Sequence, residues 1–504
     1  MSEAGRAVAF AAGLYRQQAA VAYAGHVRRD PLALLNLRQG RADPYPVYER
    51  IRATGTLVPT RLGDWLTVSH RVCDSVLRNR RFGVHADPDV EMSFLGVNPP
   101  DHTRLRRFAL PAFSPKAVAG YAGRIERTVG DLLDQAAAGD RFDLVSALAA
   151  PLPIAVITDL LGVPDVGAAA FAQYGAVIGS ALDGIKSLRH ASQLQANGIK
   201  LQRLFEDLFE LRRRDPADDI ISRLVAAEGD QVQPAEMMPM CVLLLVAGFE
   251  TTVNLIGNCV VALLGHREQW QDLCADPSAL AAAAVEETLR FDPPVQLTDR
   301  VALEPLDLEG QTIRPGQSVV TLIGGANRDP EVFPEPGTFS IYREPRAEHL
   351  AFSSGIHYCL GQPLARLEAT ITLRMLAERM PGLALAGPVQ LRNTTTIRGP
   401  LHLPVRPGPH RGGPAARWAA RLSGVLPVQK RVGGPAGIRS GSGSTSGTRD
   451  RTSSWNRRAS SSASTLSGVW MKTFGERPSR SQPATTSSQY CHPATVRAAS
   501  SRPR

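Results

Sequence analysis

The chain has 504 residues, of which 43% are hydrophobic and 21% charged, the proportions of an ordinary globular protein with length enough for a large core. Its net charge of +10 is unevenly placed: Gly408 to Arg504 hold 16 Lys+Arg and 2 Asp+Glu, which leaves 41 and 45 for the rest, so the body carries no general sign of nucleic-acid binding. The six cysteines, Cys73, Cys241, Cys259, Cys274, Cys359 and Cys491, are scattered without a CxxC pair, which argues against a zinc ribbon or a disulfide framework and fits a reducing cytoplasm.

Val8 to Ala24 is apolar but broken by Arg16, Gln17 and Gln18. It is too short and too polar to cross a bilayer, so a surface helix is expected and neither an export signal nor a membrane anchor. Tyr45 to about Gly55 reads as a helix closed by glycine. Next, LVPTRLGDWLTVSH alternates like two strands around Gly63-Asp64. Helical patterns dominate from Asp101 to about Arg290, with breaks at Leu161–Pro164 and Asp215-Pro216. Val301 to Val320 is strand-like, with turns at Glu309-Gly310 and Pro315-Gly316. A helix over about Pro363–Met380 precedes a strand-like finish near Pro407. The division predicts a mainly α fold with a small β-rich lobe. After Pro407 the composition turns to Ser, Gly, Arg, Thr, Pro and Ala. Such text buries too little apolar surface to fold, so residues 1–407 are expected to form the functional domain and 408–504 a basic disordered tail.

Met237 to Gly265, MMPMCVLLLVAGFETTVNLIGNCVVALLG, would pass for a membrane span but for Glu250, Thr251, Asn254 and Asn258. Ala247, Thr251, Asn254 and Asn258 fall on one helical face, with Glu250 at its border. A helix apolar all round except for one polar stripe belongs inside a large core, lining a site. Alone, Thr251 could equally be a helix hydroxyl bonding its own backbone. Glu287 and Arg290 are three apart on a helix, which alone describes a surface ion pair.

The segment with most chemistry is FSSGIHYCLG, Phe352 to Gly361. Gly355 and Gly361 allow tight turns and close backbone approach. The next helix presents free N–H groups and a positive dipole end to Cys359, which should lower the thiol pKa. Phe352, Gly355, His357, Cys359 and Gly361 match F-x-x-G-x-H-x-C-x-G, and here the chain resembles the cytochrome P-450 family, most closely its soluble bacterial, actinobacterial and mycobacterial members. The resemblance extends over about residues 40 to 407, through AGFETT, the E-x-x-R pair and NRDPEVFPEP.

The resemblance implies a triangular helical prism with a small β-rich lobe, cytoplasmic and monomeric. By the same resemblance, Cys359 is the thiolate ligand of haem b, iron protoporphyrin IX, pushing electron density toward bound oxygen. Ala247 and Gly248 leave room for dioxygen, while Thr251 and Glu250 deliver protons. Glu287 and Arg290 form a buried pair that holds the haem loop. His102, Arg106, Arg300 and His357 hold the haem propionates, a task suited to the arginine fork; His349 is read as structural. Leu244, Ala247, Val295, Leu297 and Ile397 line an apolar substrate pocket. The chain has no glycine motif for flavin or nicotinamide and no cysteine cluster for iron–sulfur. Electrons from NAD(P)H must therefore arrive through a separate ferredoxin reductase and ferredoxin, received by a basic face around Arg104, Arg107 and Arg366. The activity implied is insertion of one oxygen atom from O2 into a small apolar substrate. A peroxide-driven peroxygenase and a non-catalytic haem-binding sensor are the other readings.

Overall fold

The computed structural model describes residues 3–61, 63–85, 93–164, 170–171, 173–174, 177–344 and 347–408. The basic tail expected after Pro407, Cys491 included, lies almost wholly outside these residues.

The architecture is mainly helical with a small β lobe, as the sequence patterns predict. At its centre runs Pro234–Gly265. Proline at its first position and a capping box between Gln233 and Glu236 fix its start. It is the one helix among the described residues long and apolar enough to cross a membrane, yet 78% of its apolar stretch is buried inside the fold. Around it pack the helices Pro151–Leu161, Leu188–Arg214, Pro277–Phe291 and Gln362–Arg379. Trp270, Phe171 and Phe205 are among the largest side chains fully enclosed in this helical core. Gly162, left-handed at φ 80°, ends Pro151–Leu161 at the break expected there.

The β lobe is a five-stranded sheet ordered Val58–Pro59, Trp65–Thr67, Ser318–Thr321, Thr298–Ala302, Phe82–Gly83. Only the Trp65–Thr67 and Ser318–Thr321 pair is parallel, with Leu66 opposite Val320. Tyr45–Thr54 lays Val47, Tyr48 and Ile51 against Leu66 and Leu322 to form a second core. Pro400–His402 pairs with Gln390–Leu391, and the loop between them folds back onto the central helix. The N-terminal helix, Glu3–His26, rests Leu14 against Ile185 and Leu194.

Candidate functional site

The loop from Phe352 to Gly361 is closed by its own backbone: Cys359 N–H donates to the Phe352 carbonyl at 2.9 Å. Gly355 has φ +69°, and a Cβ there would stand 2.4 Å from the Leu77 carbonyl oxygen, so glycine is required. Gly361 is under no such constraint; its φ is −84° and the nearest atom to a Cβ would be Phe113 at 3.8 Å. Burial pushes the Cys359 thiol upward. The N–H groups of Gly361 and Gln362 and the Arg106 and Arg366 guanidiniums pull it down without prevailing. The loop and helix end do pull the thiol pKa down, as expected, but burial outweighs them in the protein alone.

Four basic groups meet beside this loop. His102 and Arg106 come from Asp101–Ala109, Arg300 from Thr298–Ala302 and His357 from the loop itself. The His102 and His357 rings lie 4.3 Å apart. Both ring nitrogens of His102 and Nε2 of His357 are buried without a hydrogen-bond partner. Burial, Arg300, His102 and Arg106 push His357 down to about 3; burial, Arg106 and Arg300 lower His102. Every charge acting on the two imidazoles is positive. Arg106 donates to the Tyr358 carbonyl at 2.5 Å and Arg300 to the Asp299 carbonyl at 2.7 Å. Buried donors gathered without an anion are costly unless something negative joins them. The paired carboxylates of a haem fit this cluster.

On the central helix Ala247 is exposed and Thr251 half-exposed, so both border open space. Gly248 faces elsewhere: a Cβ on it would meet Ile157 Cδ1 at 3.2 Å. Thr251 Oγ1 donates to the Ala247 carbonyl at 2.8 Å. Glu250 is buried and ion-paired with Arg392 at 3.0 Å. Asn254 and Asn258, expected to line the site, do not. Asn258 donates to the Asp292 and Arg398 carbonyls, and Asn254 packs against Gly399 while donating to the Glu250 carbonyl. Asn258 thereby fastens the 392–400 segment to the helix through the Arg398 carbonyl.

Glu287 and Arg290 form a bidentate pair at 2.7 and 2.8 Å, both side chains 3% exposed. Arg290 also donates to the carbonyls of Asn327, Pro336 and Thr338, and Glu287 accepts from Ser340 N–H and Arg343. Asn327 Oδ1 in turn accepts Leu350 N–H at 2.7 Å, two residues before Phe352. The pair thus reaches the cysteine loop through Asn327. Of the basic face around Arg104, Arg107 and Arg366, two members are already engaged: Arg104 by Glu236 and Asp101, Arg366 by Glu286. Arg107 is exposed.

Sequence reasoning missed Arg392, Glu286 and Gly179, whose Cα packs against the Glu250 side chain. Glu286 sits beside the recognised Glu287. No local pattern marks Arg392 or Gly179, which only folding brings to Glu250.

A family model described as cytochrome P450 matches residues 278–379. The cytochrome P450 monooxygenase PikC of Streptomyces venezuelae is 39% identical over 388 residues, 72% of this chain and 91% of PikC. The crystal structure of Mycobacterium smegmatis CYP164A2 matches with a TM-score of 0.70 at 38% identity, covering 75% of this chain and 99% of that one. P450BioI, solved in complex with an acyl carrier protein ligated to hexadec-9Z-enoic acid, matches with a TM-score of 0.70 at 35% identity over 73% of this chain and 99% of that one. With these matches set on a cysteine loop and a cation cluster suited to haem b, the chain belongs to the cytochrome P450 family and is a haem b monooxygenase.

Proposed function

We propose that Cys359 ligates the haem iron and that the enzyme inserts one atom of O2 into an apolar organic substrate, with electrons from NAD(P)H carried by a separate ferredoxin reductase and ferredoxin. The observation that carries the site assignment is the basic cluster of His102, Arg106, Arg300 and His357, in which both His102 nitrogens and His357 Nε2 are buried without a partner and only positive charges act on the two rings, beside a cysteine that receives two backbone N–H groups. These four groups bind the propionates, and Phe352, Gly355 and Gly361 shape the loop that presents the sulfur. Haem b supplies the oxygen-activating chemistry. The protein moves the protons: Thr251, anchored by its bond to Ala247, keeps its oxygen free to accept from a water in the open space beside Ala247. Glu250 passes protons to that place after leaving Arg392.

The substrate pocket is apolar. Val295 and Ile397 face one another in an antiparallel bridge, with half-buried Leu297 nearby in sequence and Ala247 and Leu244 supplied by the central helix. P450BioI is solved in complex with an acyl carrier protein ligated to hexadec-9Z-enoic acid, which supports a hydrophobic chain as one class to test. Arg107 is the exposed cation through which an acidic ferredoxin would dock.

The test is spectroscopic. The reduced, carbon monoxide-treated protein should show the red-shifted band of thiolate ligation, and Cys359→Ser should abolish it. Apolar ligands should shift the ferric spectrum, and those that do should yield oxygenated product with ferredoxin and reductase. Turnover with peroxide alone would overturn the electron route; absence of the band in wild type would overturn the ligand.

A further inference from the structure

Glu286 and Arg366 make a second carboxylate–guanidinium pair beside the haem loop, distinct from Glu287 and Arg290. Arg366, on Gln362–Arg379, donates twice to Glu286 on Pro277–Phe291, at 2.6 and 3.0 Å. Its guanidinium lies 4.5 Å from the centre of the Phe352 ring. Phe352 is the residue whose carbonyl accepts the Cys359 N–H. His349 completes the set. Its Nδ1 accepts Ala351 N–H at 3.3 Å, which leaves Nε2–H to donate to Glu286 at 3.2 Å, so a neutral imidazole satisfies both contacts. Gln362 also bonds Arg366. Burial raises the Glu286 carboxyl, but the His349 and Arg366 bonds outweigh it and bring the group to about 2, so the carboxylate stays charged. Arg366 is one of two guanidiniums whose charge acts on the Cys359 sulfur, the other being Arg106.

We propose that Glu286 and Arg366 are positioning residues that together set the charge behind the thiolate, with Glu286 holding Arg366 over Phe352 and partly neutralising it, so that the pair tunes the reduction potential of the iron. The proposal rests on the reading of Cys359 as the haem ligand. Outer-sphere charge and hydrogen bonding around a ligating sulfur are recognised levers on potential. Both side chains keep some access to water, so the effect is moderate.

The experiment is a redox titration of the full-length haem protein, wild type beside Glu286→Gln, Arg366→Gln and the double variant. Removing the carboxylate leaves Arg366 unopposed, so Glu286→Gln should raise the midpoint. Removing the cation leaves Glu286 unopposed, so Arg366→Gln should lower it. At a fixed poise the ferric-to-ferrous ratio should change about threefold in opposite directions, with the double variant near wild type. A merely structural clamp would move both single variants the same way. Arg374→Gln, which breaks an ion pair on the same helix with Glu126 and Glu378, is the control and should leave the midpoint in place. Shifts of one sign, or none larger than the control, overturn the proposal. If a Gln variant loses the thiolate carbon monoxide band, Arg366→Lys decides: retained charge predicts a midpoint near wild type, and a shift of the two-variant kind refutes it. A wild type without that band would instead defeat the Cys359 assignment.

Discussion

Glu250 Oε2 lies 3.0 Å from Arg392 Nη1, with the carboxylate side chain 5% and the guanidinium side chain 19% exposed. The pair joins the central helix to the segment that carries Ile397. Removing the cation takes the Arg392 counter-charge away from a buried carboxylate. Arg392→Ala should cost about 1–3 kcal/mol, less than a fully enclosed pair would, because Arg392 keeps a path to water. Glu250→Gln added to Arg392→Ala should recover part of that loss. Denaturant unfolding of the four proteins gives the coupling energy, and a value near zero would show that the contact stabilises nothing.

Thr251 spends its proton on the Ala247 carbonyl, and its oxygen is left to accept from whatever occupies the adjoining space. Thr251→Ala should leave the haem spectrum intact and cut product formed per NAD(P)H by about tenfold or more, with the missing electrons recovered as hydrogen peroxide. Thr251→Ser should restore most of the yield. Unchanged coupling in the alanine variant would remove Thr251 from proton delivery.

Much of the fold and site is legible in the sequence because it is local. Proline and glycine mark the ends of Pro234–Gly265 and Pro151–Leu161, and the spacing of Glu287 and Arg290 places them on one face. The Phe352–Gly361 loop announces its cysteine through residues a few positions apart. Sequence cannot show which surface a helical face meets. Asn254 and Asn258 share a stripe near Thr251, yet Asn258 bonds the Asp292 and Arg398 carbonyls, Asn254 bonds its own helix while packing against Gly399, and Glu250 finds an arginine from a distant part of the chain. The sign of the Cys359 shift escapes sequence reading for a related reason. Motif text displays the N–H donors and hides the burial that outweighs them.

Burial works against the Arg300 charge more than Asp299 supports it, and the nearest acceptor of its guanidinium is the Asp299 carbonyl. Arg300→Gln should therefore weaken haem retention while leaving the haem-free chain as stable as wild type or more so, by up to about 1 kcal/mol. Haem transfer to apomyoglobin should accelerate by about tenfold. Slower or equal transfer would mean that Arg300 holds no propionate.

At Gly408 φ is +78° and the backbone closes against Gly382. We propose that the monooxygenase unit ends there. A protein stopped after Gly408 should bind haem, bind substrate and turn over like the full chain, with an unfolding free energy within about 0.5 kcal/mol of it. Loss of haem or activity on truncation would assign the remaining residues a function.

Glu368 lies wholly buried on Gln362–Arg379, two turns beyond the helix start, and one of its carboxyl oxygens has no partner. Burial alone pushes its pKa to about 8. The folded chain therefore holds a proton that the unfolded chain releases near pH 4.5. Between those values Glu368 holds its proton more firmly in the native state than in the unfolded one, so its own contribution to stability falls as pH rises, at up to about 1.4 kcal/mol per pH unit. Carboxylates such as Glu286, held near 2, lose their contribution only at much lower pH and leave this window undisturbed. Glu368→Gln keeps the volume and cannot ionise. It should match wild type near pH 4.5 and exceed it increasingly up to about pH 8, where the two curves become parallel. Unfolding measured across that range decides the matter, since equal slopes would mean that Glu368 enters the folded state already charged.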